Sequence, residues 1–233
     1  MGRPFTRGYC LVAVACCIAS SAAAETPFDF GDWDVGQNLL IAGDFEDVVI
    51  VGNDMTDGDG RDAWSLEDGQ CCDRGGDYTW EVDDEEAHGG EQSVKVIGNI
   101  ATGTAWHAKV RHEGASMQGG ETYTVAFWAK AEEARVVELS VQMQQAPWDF
   151  FQGGDNSLTD EWTEYTTTFV ANVDIDKTMW VGLAIAGDDV DFWIDDFRFW
   201  EGELDDAIRE DPRPKAVSPD GLLTTTWSHV RRR

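Results

Sequence analysis

Asp191 to Trp200 reads DFWIDDFRFW, with aromatic residues throughout and two carboxylates at its centre. Side chains alternate along a strand, so Trp193, Asp195, Phe197 and Phe199 are expected on one face and Phe192, Ile194, Asp196 and Arg198 on the other. Both faces would then be largely covered. A carboxylate among so much aromatic surface is costly unless hydrogen bonds or a metal ion compensate it, so Asp195 or Asp196 requires a partner. The segment best suited is NLLIAGDFED, Asn38 to Asp47, another apolar run that ends in carboxylates at Asp44, Glu46 and Asp47.

From Tyr78 onward short alternating runs are separated by Gly, Asn and Asp, the spacing of an all-β sandwich or barrel. Candidate strands are 78–82, 92–98, 104–112, 122–131, 135–144, 165–170, 178–186 and 191–199, with turns at Gly89-Gly90, Gly119-Gly120 and Gly153-Gly154. No amphipathic helix or internal repeat interrupts the series. From Val48 to Asp77 the chain is rich in Gly and Asp and reads as long loops. Asp57 and Asp59 begin an EF-hand-like run, but Arg61 stands where an oxygen ligand is needed and Asp62 where the turn needs Gly.

Five stretches in order carry a resemblance: Asn38-Leu39-Leu40, Gly43-Asp44-Phe45-Glu46, Glu121 to Ala131 (ETYTVAFWAKA), Glu161 to Tyr165 (EWTEY) and Phe192 to Phe197 (FWIDDF). Together they resemble the carbohydrate-binding modules of the family 4/9/22 type. The resemblance implies a β-sandwich jelly roll of two antiparallel sheets. It also implies a structural Ca2+ held by Asp44 and Glu46 from the first strand and Asp195 or Asp196 from the last, and a glycan groove on one sheet.

Sugar binding calls for flat aromatic surface flanked by amides or charges. In Val136 to Gln144, Val137, Leu139, Val141 and Met143 form a core face, leaving Glu138, Ser140, Gln142 and Gln144 on an open one. Trp148 follows in the loop Pro147 to Phe151 and is the leading candidate for stacking. In the run Thr104 to His112, parity puts Trp106 on the core face, although at a strand end it would reach the rim beside His107, Arg111, Gln142 and Gln144. The pair Phe127-Trp128 must face opposite ways, one toward the core and the other needing cover. Trp162 resembles the family's structural tryptophan, and Trp180, Trp193 and Trp200 read as packing.

The organisation expected is a secretory signal over 1–24, a lead-in over 25–37, the module over 38–201 and a Pro-containing tail over 202–233. The first 24 residues carry Arg3 and Arg7, then an apolar run too short to span a bilayer, then Ala22-Ala23-Ala24. Lipid attachment at Cys16 is the second reading. The expected destination is therefore the extracellular space or the periplasm. A net charge of −28 repels phosphate backbones, anionic bilayers and, unless calcium bridges them, polyanionic glycans, so the expected partner is a neutral polysaccharide, with no nucleic acid, no membrane insertion and a monomeric state. Beyond the signal only Cys71 and Cys72 remain, and they are adjacent. A vicinal bridge, two free thiols and an intermolecular bond all remain open.

The leading function is non-catalytic binding of a β-glucan or xylan, in a module type associated with glycoside hydrolases. A jelly-roll hydrolase is the alternative, because Glu81 and Glu86 in WEVDDEE (Trp80 to Glu86) have the Glu-x-Asp-x-x-Glu spacing of a nucleophile and acid pair. A structural cell-surface module anchored through its tail is the third reading.

Overall fold

The computed structural model describes residues 38–204. It contains β1 (Val49–Val51), β2 (Asp54–Thr56), β3 (Asp62–Glu67), β4 (Asp77–Asp83), β5 (Ser93–Ile100), β6 (Lys109–Met117), β7 (Thr122–Ala131), β8 (Arg135–Met143), β9 (Phe150–Leu158), β10 (Thr163–Val170), β11 (Ile175–Ala184) and β12 (Phe192–Glu201). They form two antiparallel sheets. One has seven strands in the order β1-β2-β3-β6-β11-β8-β9, the other five in the order β10-β7-β12-β5-β4. This is an all-β sandwich, as the spacing of short runs predicts. The expected signal over 1–24, the expected lead-in over 25–37 and the chain beyond 204 lie outside the described residues, and among those described no helix is long and apolar enough to cross a membrane.

The inner faces meet in one aromatic-rich core. Ring contacts run from Tyr165 to Phe127 (5.4 Å), Phe127 to Phe197 (5.0 Å), Phe197 to Trp64 (5.1 Å) and Trp64 to Phe45 (5.3 Å). The chain of rings therefore crosses from one sheet to the N-terminal segment. Each such pair adds about 1 kcal/mol to the stabilisation that burial alone provides.

The β12 stretch departs from simple alternation. Its pairing with β7 shifts between Asp195 and Arg198, and Asp196 takes a φ of 48°. This irregularity reverses parity partway along the strand. Phe192 and Ile194 before it, and Phe197 and Phe199 after it, all belong to the inner core, while Trp193 and Trp200 do not. The expected grouping of Trp193 with Phe197 and Phe199 is thus corrected, because the extra residue of a bulge turns every later side chain over.

The two ends of the folded body are laced together. Leu39 N–H donates to Phe199 O (2.7 Å) and Phe197 N–H to Gly43 O (2.6 Å). Asn38 accepts from Phe199 N–H and donates from Nδ2 to Phe197 O. Gly43 is required here, since a Cβ on it would lie 1.9 Å from Phe197 O.

Three further readings are corrected. The region Val48 to Asp77 contains β1, β2 and β3 rather than loops alone, and Gly153-Gly154 lies inside β9 rather than at a turn. Strand β6 begins at Lys109, and Ala105–His107 before it form a 3-10 turn. Parity therefore does not extend back to Trp106, which is 52% exposed instead of buried. The run rejected as an EF-hand is a turn, as its sequence implies: Asp57 accepts the N–H groups of Asp59 and Arg61 and pairs with the Arg61 side chain.

Candidate functional site

Register across the seven-stranded sheet arranges its outer face in rows. Glu67, Lys109, Ala184, Glu138 and Asp155 are cross-strand neighbours in one; Ser65, Arg111, Gly182, Ser140 and Gly153 in the next; Glu113, Trp180, Gln142 and Phe150 in the third. Apart from Arg111, the middle row is made of very small residues between two bulkier ones. That is a trough, and at about 4.8 Å per strand it crosses roughly 19 Å from β3 to β9. Position 182 admits only glycine, because a Cβ there would meet the β6 backbone at Val110 O, 2.1 Å away.

Exposed aromatics stand at both banks. Trp106 precedes β6 at the Lys109 end of the strands, whereas Trp148 (56% exposed) follows β8 at the Gln142 end, with exposed Phe150 beyond it. The ring of Trp106 is held by Arg74, whose guanidinium lies 4.8 Å from its centre, and by the edge of His107 at 4.3 Å. Trp148 has a φ of 65°, a left-handed conformation unusual for a bulky residue. Gln142 Nε2 donates to the Trp148 carbonyl (2.8 Å) and Gln144 Oε1 accepts from Gly114 N–H (3.1 Å). Both predicted amides thus have one polar atom committed to shaping the trough and one left for a ligand. Arg111 Nε and His107 Nδ1 are buried without protein partners among the described residues, and such groups call for a ligand or water.

The charged row is built around Glu67. Its carboxylate binds Lys109 (2.7 Å), Arg111 (3.0 Å) and Arg74. Burial would raise its pKa, but Lys109, Arg111 and Arg74 overcome that and hold it below the usual range. Burial in turn lowers the Lys109 ammonium, with Glu67 opposing the fall. Glu67→Gln leaves three neighbouring cations with no shared anion. The expected loss is about 2 to 3 kcal/mol, read as a fall in the urea midpoint at pH 7; a change under about 0.5 kcal/mol would show that the cluster is a solvated surface group.

A second cluster sits on the five-stranded sheet. His88, Asp195 and Asp196 each offer a ligand atom within 4.8 Å of the others, and His88 Nδ1 lies 2.9 Å from Asp196 Oδ2. Fully buried Asp195 accepts the N–H groups of His88 (2.9 Å) and Gly89 (3.0 Å). Burial pushes its carboxyl up to about 7, with Asp196 adding to the rise against these hydrogen bonds. Glu46 accepts from Glu91 and Gln92 N–H on the same 88–92 loop. The carboxylates of the two chain ends therefore grip one loop from its two ends, but Asp44 and Glu46 are not members of the three-residue group. They line a wide cavity with Asp47, Asp57 and Arg61. His88, which covers Trp128 by stacking at 3.6 Å, carries no metal-ligand signal in the sequence.

Glu81 and Glu86 lie away from the trough. Glu81 is exposed on β4 of the five-stranded sheet, and Glu86 follows that strand, paired with Lys130 at 2.7 Å. Arg74 and Glu67 were not legible as site residues, because each sits in a stretch that reads as loop. Trp180 is almost fully buried, yet on the outer face rather than in the inner core.

The family model for the carbohydrate binding domain CBM_4_9 matches residues 37–184. The chain belongs to this carbohydrate-binding family. Among solved structures, one titled "CBM4 structure and function" superposes with a TM-score of 0.58 at 19% identity, covering 69% of this chain and 98% of the other. The tandem CBM22-1-CBM22-2 domain of Paenibacillus barcinonensis Xyn10C gives 0.50 at 15% identity, covering 74% of this chain and 48% of that one. The arabinose-bound MgGH51 α-L-arabinofuranosidase gives 0.53 at 13%, covering 73% and 27%. These likenesses establish the fold of the carbohydrate-binding module. No curated protein matches the chain.

Proposed function

We propose that this module binds a neutral polysaccharide of the β-glucan or xylan type along the trough of its seven-stranded sheet, outside the cytoplasm, without itself breaking glycosidic bonds. The observation that carries the reading is the low middle row between two exposed tryptophans. Trp106 and Trp148 offer flat surfaces to the apolar faces of sugar rings, and Gln142, Gln144, His107 and Arg111 offer hydrogen bonds to hydroxyls. Neutrality follows from the charges. The cations at one end are engaged by Glu67 and, for Arg111, by Glu113 as well, while Glu138 and Asp155 face each other at the other end and would repel uronic acids.

The Asp195 cluster fits a hard divalent cation, because a buried carboxylate beside a second carboxylate is stabilised by positive charge. Asp195 and Asp196 would hold Ca2+, with Glu46 approaching from the other end of the 88–92 loop. The ion would clasp the chain ends and take no part in sugar contact. Saturating calcium is expected to stabilise the fold by about 2.7 kcal/mol at a hundredfold excess over its dissociation constant, a rise on the order of 8 °C in Tm. Asp195→Asn should remove the rise. An equal Tm in calcium and in EDTA would end the calcium reading.

Calorimetry against soluble β-glucans, xylans and mannans, with and without chelator, tests ligand and metal together. Absence of heat with every neutral glycan would defeat the binding reading and leave the fold standing. Release of reducing sugar that disappears in Glu81→Gln would instead favour hydrolysis.

A further inference from the structure

We propose that Cys71 and Cys72 form an oxidative modification site, a reversible vicinal disulfide whose closure displaces Arg74 and so loosens the Trp106 bank of the trough. The two cysteines are exposed, and their sulfurs touch at 2.7 Å. Cys72 and Asp73 take consecutive left-handed φ values of 61° and 58°, so the backbone at this turn is already far from extended.

The surrounding loop confines any change made there. Its neck is closed by Gly76 N–H to Gly69 O and Tyr78 N–H to Asp68 O, both 3.1 Å, and Gln70 Nε2 donates to Asp77 at 3.2 Å. Movement at the cysteines is therefore not absorbed by β3 or β4. The short turn Cys71–Asp73 is capped by Arg74, whose N–H donates to Cys71 O at 3.3 Å. That carbonyl belongs to the peptide unit enclosed in the eight-membered ring that a vicinal disulfide creates. Adjacent Cα atoms lie closer than disulfides ordinarily require, so the enclosed peptide must twist, and the Arg74 hydrogen bond goes with it. The Arg74 side chain supports Trp106, bonds His107 O at 3.2 Å and pairs with Glu67, so its displacement draws on all three contacts. Loss of that support frees the indole to rotate.

The chemistry needs a low-molecular-weight disulfide, RSSR, as oxidant. One cysteine thiolate attacks RSSR, forming a mixed disulfide and releasing RSH. The neighbouring thiolate then attacks the cysteine sulfur of that mixed bond and releases the second RSH. The two cysteines give up two electrons and two protons, and RSSR becomes two RSH. A strained, exposed bond of this kind is readily reduced again.

The effect on sugar affinity rests on the binding function proposed above; the bond and the movement of Trp106 do not. The test equilibrates the full chain in oxidised or reduced glutathione and follows three readouts: the mass of the peptide holding both cysteines after alkylation, the indole N–H resonance of Trp106, and affinity for cellohexaose and xylohexaose. Oxidation should remove two hydrogens from the unalkylated peptide, shift the Trp106 resonance and weaken hexasaccharide binding about five-fold, the scale of one lost cation–π support. The C71S/C72S variant should bind as the reduced protein does in either buffer, and Arg74→Ala should keep the bond but lose the redox difference. Alkylated, glutathionylated or chain-crosslinked cysteines in the oxidised sample would overturn the proposal, as would a bond that leaves the Trp106 resonance in place. If neither hexasaccharide binds in either state, the trough reading fails and the Trp106 resonance alone decides the switch.

Discussion

Trp106→Ala should bind the best soluble β-glucan or xylan about 30-fold more weakly than the unmodified chain, a loss of roughly 2 kcal/mol. The ring is half exposed, lies outside the inner core and is held upright by Arg74 and His107. Its truncation therefore removes a preorganised platform and spares the packing of the sandwich. Trp148→Ala should lose a similar amount from the opposite bank, and both variants should keep their melting temperatures within a few degrees. Calorimetry supplies the affinities and thermal denaturation the control. If both variants bind as tightly as the parent, the ligand does not lie between these banks.

Acid should destabilise the fold through His112. This histidine is fully buried on β6, and Nε2 accepts the Ile41 N–H at 3.1 Å, while Trp64 Nε1 donates to the Ile41 carbonyl at 3.0 Å. The two side chains thereby hold both polar groups of Ile41 in the N-terminal segment. Burial drives the imidazole pKa down to about 3 from an ordinary 6.5. The unfolded chain takes up the proton below 6.5 and the folded chain resists it until about 3. The stability His112 contributes is therefore complete above 6.5 and lost on acidification, at about 1.4 kcal/mol per pH unit between those limits. Asp195 works the other way: its raised carboxyl stabilises the metal-free fold as pH falls from 7 toward 4. The informative quantity is the difference between the parent and His112→Gln in unfolding free energy, from urea titrations between pH 7 and pH 4.5. It should shrink by about 2 to 3 kcal/mol over that range, and a constant difference would mean that His112 takes up its proton in the fold as readily as in the unfolded chain.

Much of the sandwich was legible because its inner strands obey strong local rules. The β7 run Thr122–Ala131 is found at its predicted limits, and on β8 Val137, Leu139 and Val141 fill the inner core as expected, although Ser140 on the opposite face is almost fully buried rather than open. The short strands near the start of the folded body were harder. In β1 and β2 three residues each suffice, since a neighbour supplies the hydrogen bonds, and Gly and Asp around them dominate the local signal. Parity failed wherever geometry inserted a residue: at Asp195–Asp196 in β12, and at the 3-10 turn before β6. The trough was visible as residue types but not as a place, because the row of Ser65, Gly182, Ser140 and Gly153 comes from four strands. Glu67 and Arg74 gain their roles only once β3 lies beside β6.

The lacing of the chain ends also decides how the module answers a pull. Leu39 meets Phe199 and Gly43 meets Phe197 in antiparallel order, so tension applied through the two ends loads these contacts one after another and peels the seam open. Tethered at both ends between a moving anchor and a fibre, such a body yields at low force. The far end of the seam lies where Glu46 and Asp195 grip the 88–92 loop, and that grip is the brake at which peeling would first stall.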